Sequence, residues 1–269
     1  MRSSVLRTLS AVPALLFAAS FPALAADDGS LREWKSGSER SLLIEAYTSD
    51  ARKGSPAAQR WISDLEPDPG LWTKMVPVVF SVDHGDKPGR WKDRFASREF
   101  TTRLLTYAAK WGVASPYVPT VVLNGIEWSG WARGDVLPAV PPEEVGVLRA
   151  QKTAAGEIVV RFDPVDTENK RWVAHGALLG FGIRVHADGG DNIGRNITHD
   201  FLTLVLTESP MSLTRDGDYR TILKLPSKAA VRTEALAAAI WVTRGENILP
   251  VQTVGGYIQK PPKKRPSKG

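Results

Sequence analysis

The sequence predicts an α/β domain over residues 40–145, followed by an antiparallel β-sandwich-like domain over residues 150–258. In the first segment, short apolar runs typical of strands alternate with stretches typical of helices. In the second segment, strand-like runs follow one another at short intervals, separated by turn residues. A proline-rich stretch, Pro138–Pro142, lies between the two segments and is typical of a domain boundary.

The first segment begins with a strand, a helix and a second strand. Leu42–Tyr47 is a short, mostly apolar run. A helix is predicted from Pro56 to about Glu66, because Ser55 fits the N-cap and Pro56 fits the first helical position. Met75–Val82 is a longer apolar run, typical of a parallel strand buried on both faces.

A longer helix and a hairpin complete the first segment. Arg98–Trp111 carries apolar residues near helical spacing, and Gly112 ends the predicted helix. Pro119–Gly125 predicts a third strand that closes in an Asn-Gly turn, and Ile126–Trp131 is expected to pair back on it. A βαβ unit followed by a β-hairpin is the order expected of a thioredoxin-like sheet.

The second segment contains six strand-like runs, which favour an antiparallel sandwich. They are Glu157–Phe162, Ala177–Val185, Phe201–Leu206, Tyr219–Leu225, Ala237–Val242 and Val251–Ile258.

Both ends of the chain differ from the body. Residues 1–26 predict a secretory signal peptide: Arg2 and Arg7 precede a short apolar run, and Ala23–Ala25 gives a small-x-small cleavage pattern. We therefore expect a periplasmic or secreted protein. Residues 259–269 are basic, rich in proline and without an apolar residue after Gln259, which predicts a disordered tail.

The charge distribution argues against nucleic-acid binding. The formal net charge is +6 and the pI is about 9.5. Two of the basic residues belong to the signal peptide, and five lie in the last ten residues without an acid among them. The body is therefore close to neutral and no basic groove is expected. No later run approaches the roughly 20 apolar residues of a membrane span, so no transmembrane segment is expected.

The chain contains no cysteine. Disulfide exchange requires a thiolate nucleophile and a second sulfur to resolve the mixed disulfide. The sequence therefore excludes disulfide oxidoreductase activity through the protein's own residues.

Three runs, in order, carry a resemblance to a known family. Glu45–Gln59 aligns with an E-L-F-T-S-x-x-C-x-x-C-P-P-A-D run, Tyr117–Gly125 is similar to Y-T-P-Q-x-V-V-N-G, and Asp191–His199 is similar to G-E-N-x-G-R-x-L-x-x-H. The chain thus resembles the exported bacterial family catalogued as domain of unknown function twelve-twenty-three. The resemblance implies a thioredoxin-like fold in which both cysteines of the CxxC motif are replaced, by Arg52 and Ser55.

The replaced motif and the proline loop are the predicted partner-binding surface. The resemblance implies that Pro119 is a cis-proline facing the motif, beside backbone that can pair with an extended peptide. Two basic residues just before a helix N-terminus would form a small anion site, unless they are simply solvated loop charges. Ser55 could be a nucleophile only with a histidine within reach, and helix capping explains the residue better. The predicted surface consists of Arg52, Lys53, Ser55, Val118, Pro119 and Thr120.

A metal or hydrolase site is the alternative. Asp83, His84 and Asp86 offer nitrogen and oxygen ligands in one loop, with Asp93 nearby, although such residues are more often solvated. Together with Ser55, Asp83 and His84 would suit a hydrolase or a metal-dependent enzyme.

The predicted function is an exported, redox-inactive binding or scaffold module for a protein or peptide partner in the cell envelope. We expect no cofactor and assign no catalytic residue. The sequence does not specify the oligomeric state.

Overall fold

A computed structural model describes residues 32–83, 91–153, 155–168, 171–226 and 228–260 of the chain. The predicted signal peptide and almost all of the predicted tail lie outside these ranges. Within them the chain is mostly strand, and its strands form three sheets.

The described residues contain fifteen strands and two α-helices, with 3₁₀ turns at Gly130–Arg133 and Gly190–Asn192. In chain order they are β1 Arg32–Lys35, β2 Leu42–Thr48, α1 Ser55–Ser63, β3 Met75–Ser81, α2 Arg98–Lys110, β4 Thr120–Leu123, β5 Ile126–Glu127, β6 Gly146–Lys152, β7 Ile158–Pro164, β8 Trp172–Phe181, β9 Ile183–His186, β10 Asn196–His199, β11 Leu202–Pro210, β12 Ser212–Leu213, β13 Tyr219–Leu223, β14 Ala235–Arg244 and β15 Pro250–Gln259.

The main sheet has eight strands in the order β15-β14-β8-β11-β3-β2-β4-β5. β2 runs parallel to β3 and antiparallel to β4. β11 joins the sheet beside β3 in parallel, with Leu202 opposite Val79, and runs antiparallel to β8 on its other side. Strands from both halves of the chain therefore belong to one mixed sheet.

The predicted fold class, an α/β thioredoxin-like domain followed by an antiparallel β-sandwich-like domain, is wrong. The fold is predominantly β, and within the described residues it has three sheets and only two α-helices. The strand-like runs were located correctly in most cases, but their hydrophobic pattern does not specify which strands pair. The division into units over 40–145 and 150–258 stays a prediction.

A second sheet packs against the C-terminal strands of the main sheet. Its five strands lie in the order β1-β6-β7-β13-β12. A buried apolar cluster fills the space between this sheet and β8, β14 and β15. Phe162 and Trp172 meet edge to face there, with ring centroids 4.8 Å apart. The third sheet is the short antiparallel pair β9–β10.

A larger apolar core surrounds β2 and β3 and includes residues of α1, α2, β8 and β14. Helix α2 begins after Ser97, whose hydroxyl accepts the Glu99 amide in the usual N-cap manner. Helix α1 begins differently. Gly54 occupies the N-cap position without a side-chain cap, and Ser55 is the first helical residue. The predicted capping role of Ser55 is therefore wrong.

No helix in the described part of the chain is both long and apolar enough to cross a membrane.

Packing between the two large sheets can be tested at Gly256. A Cβ added there would lie 2.0 Å from Trp34 Nε1, so β15 approaches β1 closely only because this residue is glycine. We expect Gly256→Ala to lower the free energy of unfolding by about 1–3 kcal/mol, because Trp34 must move. Urea denaturation measures the change. Gly37→Ala is the matched control, since its nearest atom would be 3.9 Å away, and an equal loss in both variants would contradict this packing.

Candidate functional site

The two segments of the predicted partner-binding surface lie against each other. A Cβ added to Gly54 would come within 2.9 Å of Pro119 Cδ, so the loop before α1 touches the loop before β4. The Val118–Pro119 peptide bond is cis. Residues far apart in sequence therefore lie in contact.

The predicted residues differ in how accessible they are. Lys53 is exposed and Arg52 is half-buried, whereas Ser55 is completely buried. The Ser55 hydroxyl accepts the Ser49 amide at 2.9 Å and thereby fixes the turn after β2. The Thr120 hydroxyl donates to the Tyr117 carbonyl and closes the turn before β4. Ser55 and Thr120 thus support the loops rather than face a partner.

Backbone at Val118 is available for pairing. Among the described residues, none forms a hydrogen bond with the amide or the carbonyl of Val118. The neighbouring Tyr117 side chain is 56% exposed, and its hydroxyl bonds the Glu127 carboxylate. An exposed aromatic ring thus lies next to unpaired backbone.

A segment from the C-terminal half lies across the loop after β2. The Asp191 amide donates to the Ala51 carbonyl at 2.9 Å, and the Asp191 carboxylate accepts the Lys53 amide at 3.1 Å. Gly190 has a φ of +74°, and a Cβ there would lie 2.6 Å from Ala51 Cα, so the close approach requires glycine. One loop amide that was expected to attract an anion is therefore bonded to the protein's own carboxylate.

Asn192 completes this contact from a buried position. Its side-chain amide donates to the carbonyls of Asp50, at 2.9 Å, and Arg52, at 2.8 Å. The two runs that carry the family resemblance, around Glu45–Gln59 and Asp191–His199, therefore meet in the folded chain.

Beneath the loop lies a buried cluster of polar side chains. His199 Nε2 lies 3.1 Å from Asp50 Oδ2, and both side chains are inaccessible to solvent. Gln59 donates to Asp50 Oδ1 at 3.3 Å, and Asp93 accepts the Asp50 amide at 3.0 Å. Burial raises the pKa of Asp93, and the nearby charge of Asp50 raises it further. The cluster fixes the loop, and because it is closed to solvent it is not itself a binding site.

The alternative metal or hydrolase site gains no support from the described residues. The Asp83 carboxylate accepts the Thr101 hydroxyl at 2.6 Å, while His84 and Asp86 lie outside the described residues. Within the described ranges no group of three histidine or acidic residues is arranged to hold a metal ion, and no histidine bonds the Ser55 hydroxyl.

A cleft that the sequence analysis missed opens between α2, the beginning of β8 and the loop joining β14 to β15. Its volume is about 930 Å³, at the upper end of the range of about 300–1,000 Å³ typical of small-molecule sites. Charged side chains line it together with apolar ones. The charged residues are Glu99, Arg103, Arg171, Glu208, Arg244 and Glu246.

A buried ion pair forms one wall of the cleft. Arg103 Nε lies 2.6 Å from Glu45 Oε1; the Glu45 side chain is fully buried and that of Arg103 is 9% exposed. Tyr107 donates its hydroxyl to Glu45 Oε2 at 2.6 Å, and the guanidinium lies 5.2 Å from the centre of the Trp241 ring. Burial acts to lower the pKa of Arg103, but Glu45, Tyr47 and Tyr107 together raise it by more, so the guanidinium stays charged.

His175 occupies the adjoining wall. Burial lowers its pKa, so the ring is neutral near pH 7. Nδ1 lies 3.2 Å from Glu208 Oε2 and Nε2 lies 2.9 Å from the Thr243 hydroxyl, while the ring stacks on Trp241. A neutral ring that donates from Nδ1 accepts the Thr243 hydroxyl at Nε2.

Thr243, His175 and Glu208 thus form a row of hydroxyl, histidine and carboxylate. The same order occurs in enzymes as a nucleophile, its general base and the carboxylate that orients the base. Thr243 is completely buried, however, so its hydroxyl cannot reach a substrate carbonyl. The histidine therefore holds the strand ends together at the edge of the cleft.

Comparison with known protein families places the chain in one of them. The family described as protein of unknown function (DUF1223) matches residues 43–243, most of the chain, and the chain belongs to it. No curated protein sequence matches this chain significantly.

Two solved structures have a similar fold. Protein AGR_C_4864 from Agrobacterium tumefaciens is 18% identical, with a TM-score of 0.52, and the match covers 82% of this chain and 95% of that one. HBP35 of Porphyromonas gingivalis is 11% identical, with a TM-score of 0.51, and the match covers 86% and 79% of the two chains. At these identities the similarity concerns the fold alone.

Replacing Arg103 is expected to lower the free energy of unfolding. Arg103→Met leaves Glu45 buried without its cation, and we expect a loss of about 3–5 kcal/mol in the free energy of unfolding. The double variant Glu45→Gln, Arg103→Met removes both charges and should recover much of that loss. Urea denaturation of the wild type, both single variants and the double variant gives the coupling energy. Additive effects of the two substitutions would contradict a coupled pair.

His175 should make stability depend on pH. The unfolded chain binds a proton at histidine near the ordinary pKa of 6.5, whereas burial lowers the pKa of the folded His175. Protonation therefore favours the unfolded chain, and stability should fall as the pH drops below 6.5. His175→Gln removes this contribution and should flatten the slope above pH 4.5, the ordinary pKa of Glu208. Equal slopes of unfolding free energy against pH in both proteins would show that folding does not lower the pKa of His175.

Proposed function

We propose that this DUF1223 member is an exported, redox-inactive binding or scaffold module whose partner is a protein or peptide of the cell envelope. Export rests on the signal-peptide pattern of residues 1–26 and redox inactivity on the absence of cysteine. The observation that carries the binding role is the unpaired backbone of Val118 beside a loop held in place by buried hydrogen bonds.

Rigidity of the loop favours binding. The Ser55 hydroxyl fixes it from the helix side and the Asn192 amide fixes it from the C-terminal half. A loop that is ordered before it meets a partner loses little conformational entropy on binding. The same bonds leave the Lys53 side chain exposed at its edge.

The expected mode of binding is backbone pairing with an extended segment. Both hydrogen-bonding groups of Val118 would pair with such a segment, as a strand added to a sheet does. Tyr117 offers an exposed aromatic contact, and Lys53 would favour an acidic side chain in the partner. The partner is therefore an extended, acidic segment of a protein or peptide.

Photo-crosslinking at position 117 tests this proposal. Tyr117 is replaced by a photoreactive phenylalanine analogue in the exported, full-length protein, and the cells are irradiated. We expect a discrete protein adduct, and we expect Lys53→Glu in the same background to reduce its yield several-fold. The adduct is quantified by immunoblot and its partner peptide is sequenced.

Two controls make the outcome decisive. The same analogue at Ile222, which is 41% exposed on the five-stranded sheet, should give no such adduct. Lys224→Glu makes the same charge change near that sheet and should leave the yield unchanged. An adduct that persists with Lys53→Glu but disappears when residues 260–269 are deleted would assign binding to the basic tail and refute the proposal.

A further inference from the structure

The cleft beside α2 presents one unpaired guanidinium nitrogen. Arg103 donates from Nε to Glu45 and from Nη2 to the Tyr107 hydroxyl, 3.4 Å away. Among the described residues none hydrogen-bonds Nη1, although the side chain is nine-tenths buried and borders the cleft. A charged donor that faces the cleft without a protein partner can bind an oxygen of water or of a ligand. Arg103 is therefore the natural anchor for an oxygen of a ligand.

The remaining charges show that this ligand is not a simple anion. Glu45 cancels the charge of Arg103, and Arg244 is paired with Asp166 at 3.2 Å. Arg171, the third arginine of the lining, also has an interaction partner, and three glutamates line the cleft, counting the described residues. A phosphate or dicarboxylate would meet net repulsion there, whereas a ligand that also carries a cation would not.

Two of the glutamates are placed to receive that cation. Glu99 lies one helical turn before Arg103 on α2, and residues so spaced share one face of a helix. Glu99 and Glu208 both line the cleft, and burial together with the negative charge of Glu208 raises the pKa of Glu99. A cation bound between them would relieve this repulsion.

The size and the apolar lining limit the ligand further. One helical turn is about 5.4 Å, and an extended peptide advances by about 3.3–3.6 Å per residue, so a dipeptide can span from the glutamates to Arg103. The volume of about 930 Å³ also leaves room for side chains. Apolar wall residues suited to them are Val173, Leu206, Met211 and Ile248.

We propose that this cleft binds a short zwitterionic peptide, with its carboxylate on Arg103 Nη1 and its ammonium group between Glu99 and Glu208. The site is separate from the surface around Val118 and goes beyond the binding role proposed there. It requires no chemistry on the peptide: the ligand is held by two charged ends and an apolar wall.

Titration calorimetry with the full mature chain tests the proposal directly. The probes are the dipeptide alanyl-leucine, its N-acetylated form, its C-terminal amide and inorganic phosphate. We expect saturable binding of the free dipeptide and binding at least about tenfold weaker for each blocked form, a difference of about 1.4 kcal/mol. Equal binding of the amide would refute the Arg103 contact. Tighter binding of phosphate, or no binding of the dipeptide at millimolar concentration, would refute the zwitterionic ligand.

Protein variants test the two ends separately. Glu99→Gln should weaken the free dipeptide several-fold and leave the N-acetylated form unaffected, because only the ammonium group uses Glu99. Glu33→Gln, an exposed change on β1, is the matched control and should have no effect. Because Arg103 variants risk unfolding, its contact is read from the Nε–H resonance of Arg103 in ¹⁵N spectra, which should shift with the free dipeptide but not with the amide. Lys53→Glu should leave dipeptide binding unchanged; a loss would mean that the two sites are one.

Discussion

The junction between β3 and β11 is the constraint on which the rest of the structure depends. The Val79 amide donates to the Phe201 carbonyl at 2.9 Å, and Leu202 pairs with Val79. Through this short parallel contact the strands of the C-terminal half extend the sheet begun by the N-terminal half. Phe201 has a φ of +56° and is fully buried against Phe181 and Trp72, so the chain turns into β11 from within the core.

Both regions described above follow from that junction. His199 is the last residue of β10, separated from β11 by only two residues, and is thereby brought under the loop after β2, where it contacts Asp50. Glu208 lies near the other end of β11 and is brought opposite His175 of β8 at the cleft. The consecutive strands β10 and β11 thus supply residues to both regions, which explains why neither can be assembled from one half of the chain.

The two buried groups of charged side chains have different roles. Glu45 and Arg103 form a neutral pair that leaves one donor at a solvent-accessible cleft. Asp50 and Asp93 are adjacent carboxylates, enclosed and held by amide and imidazole groups. A buried charge that is not fully paired lowers stability. Such a charge is easier to explain at an open cleft, where a ligand can pair with it, than in an enclosed cluster. This argues for the cleft as the place where small ligands bind and for the enclosed cluster as a support.

Local sequence predicted the elements far better than their arrangement. Met75–Val82 was expected as a strand and is β3, and Arg98–Trp111 was expected as a helix and is α2, because long apolar patterns and clear end signals define both. β1 and β6 were missed, since Arg32–Lys35 and Gly146–Lys152 are short runs interrupted by charged residues. Pairing of β3 with β11 joins residues more than a hundred positions apart and leaves no local signal.

The candidate sites also differ in how far the sequence predicts them. The meeting of Gly54 with Pro119 followed from a resemblance, and the structure confirms that these loops touch. The cleft had only faint signals: Glu45 is a charge inside the apolar run of β2, and Arg103 is a charge on the stripe of α2 that also carries Phe100 and Tyr107. A charge on a buried face predicts a partner but does not say which one. Each could have been recognised as a partner for the other only by knowing that α2 packs over β2.

The absence of cysteine limits what the loop after β2 can do, but not how it is held. The bonds that fix the loop involve Ser49, Asp50, Ser55 and Asn192, and none of them needs a sulfur atom. Position 55 illustrates the point, because its hydroxyl accepts a backbone amide that would otherwise be buried without a partner. A surface held in this way has a fixed shape without any thiol. This rigidity is what supports the binding role that we propose for it.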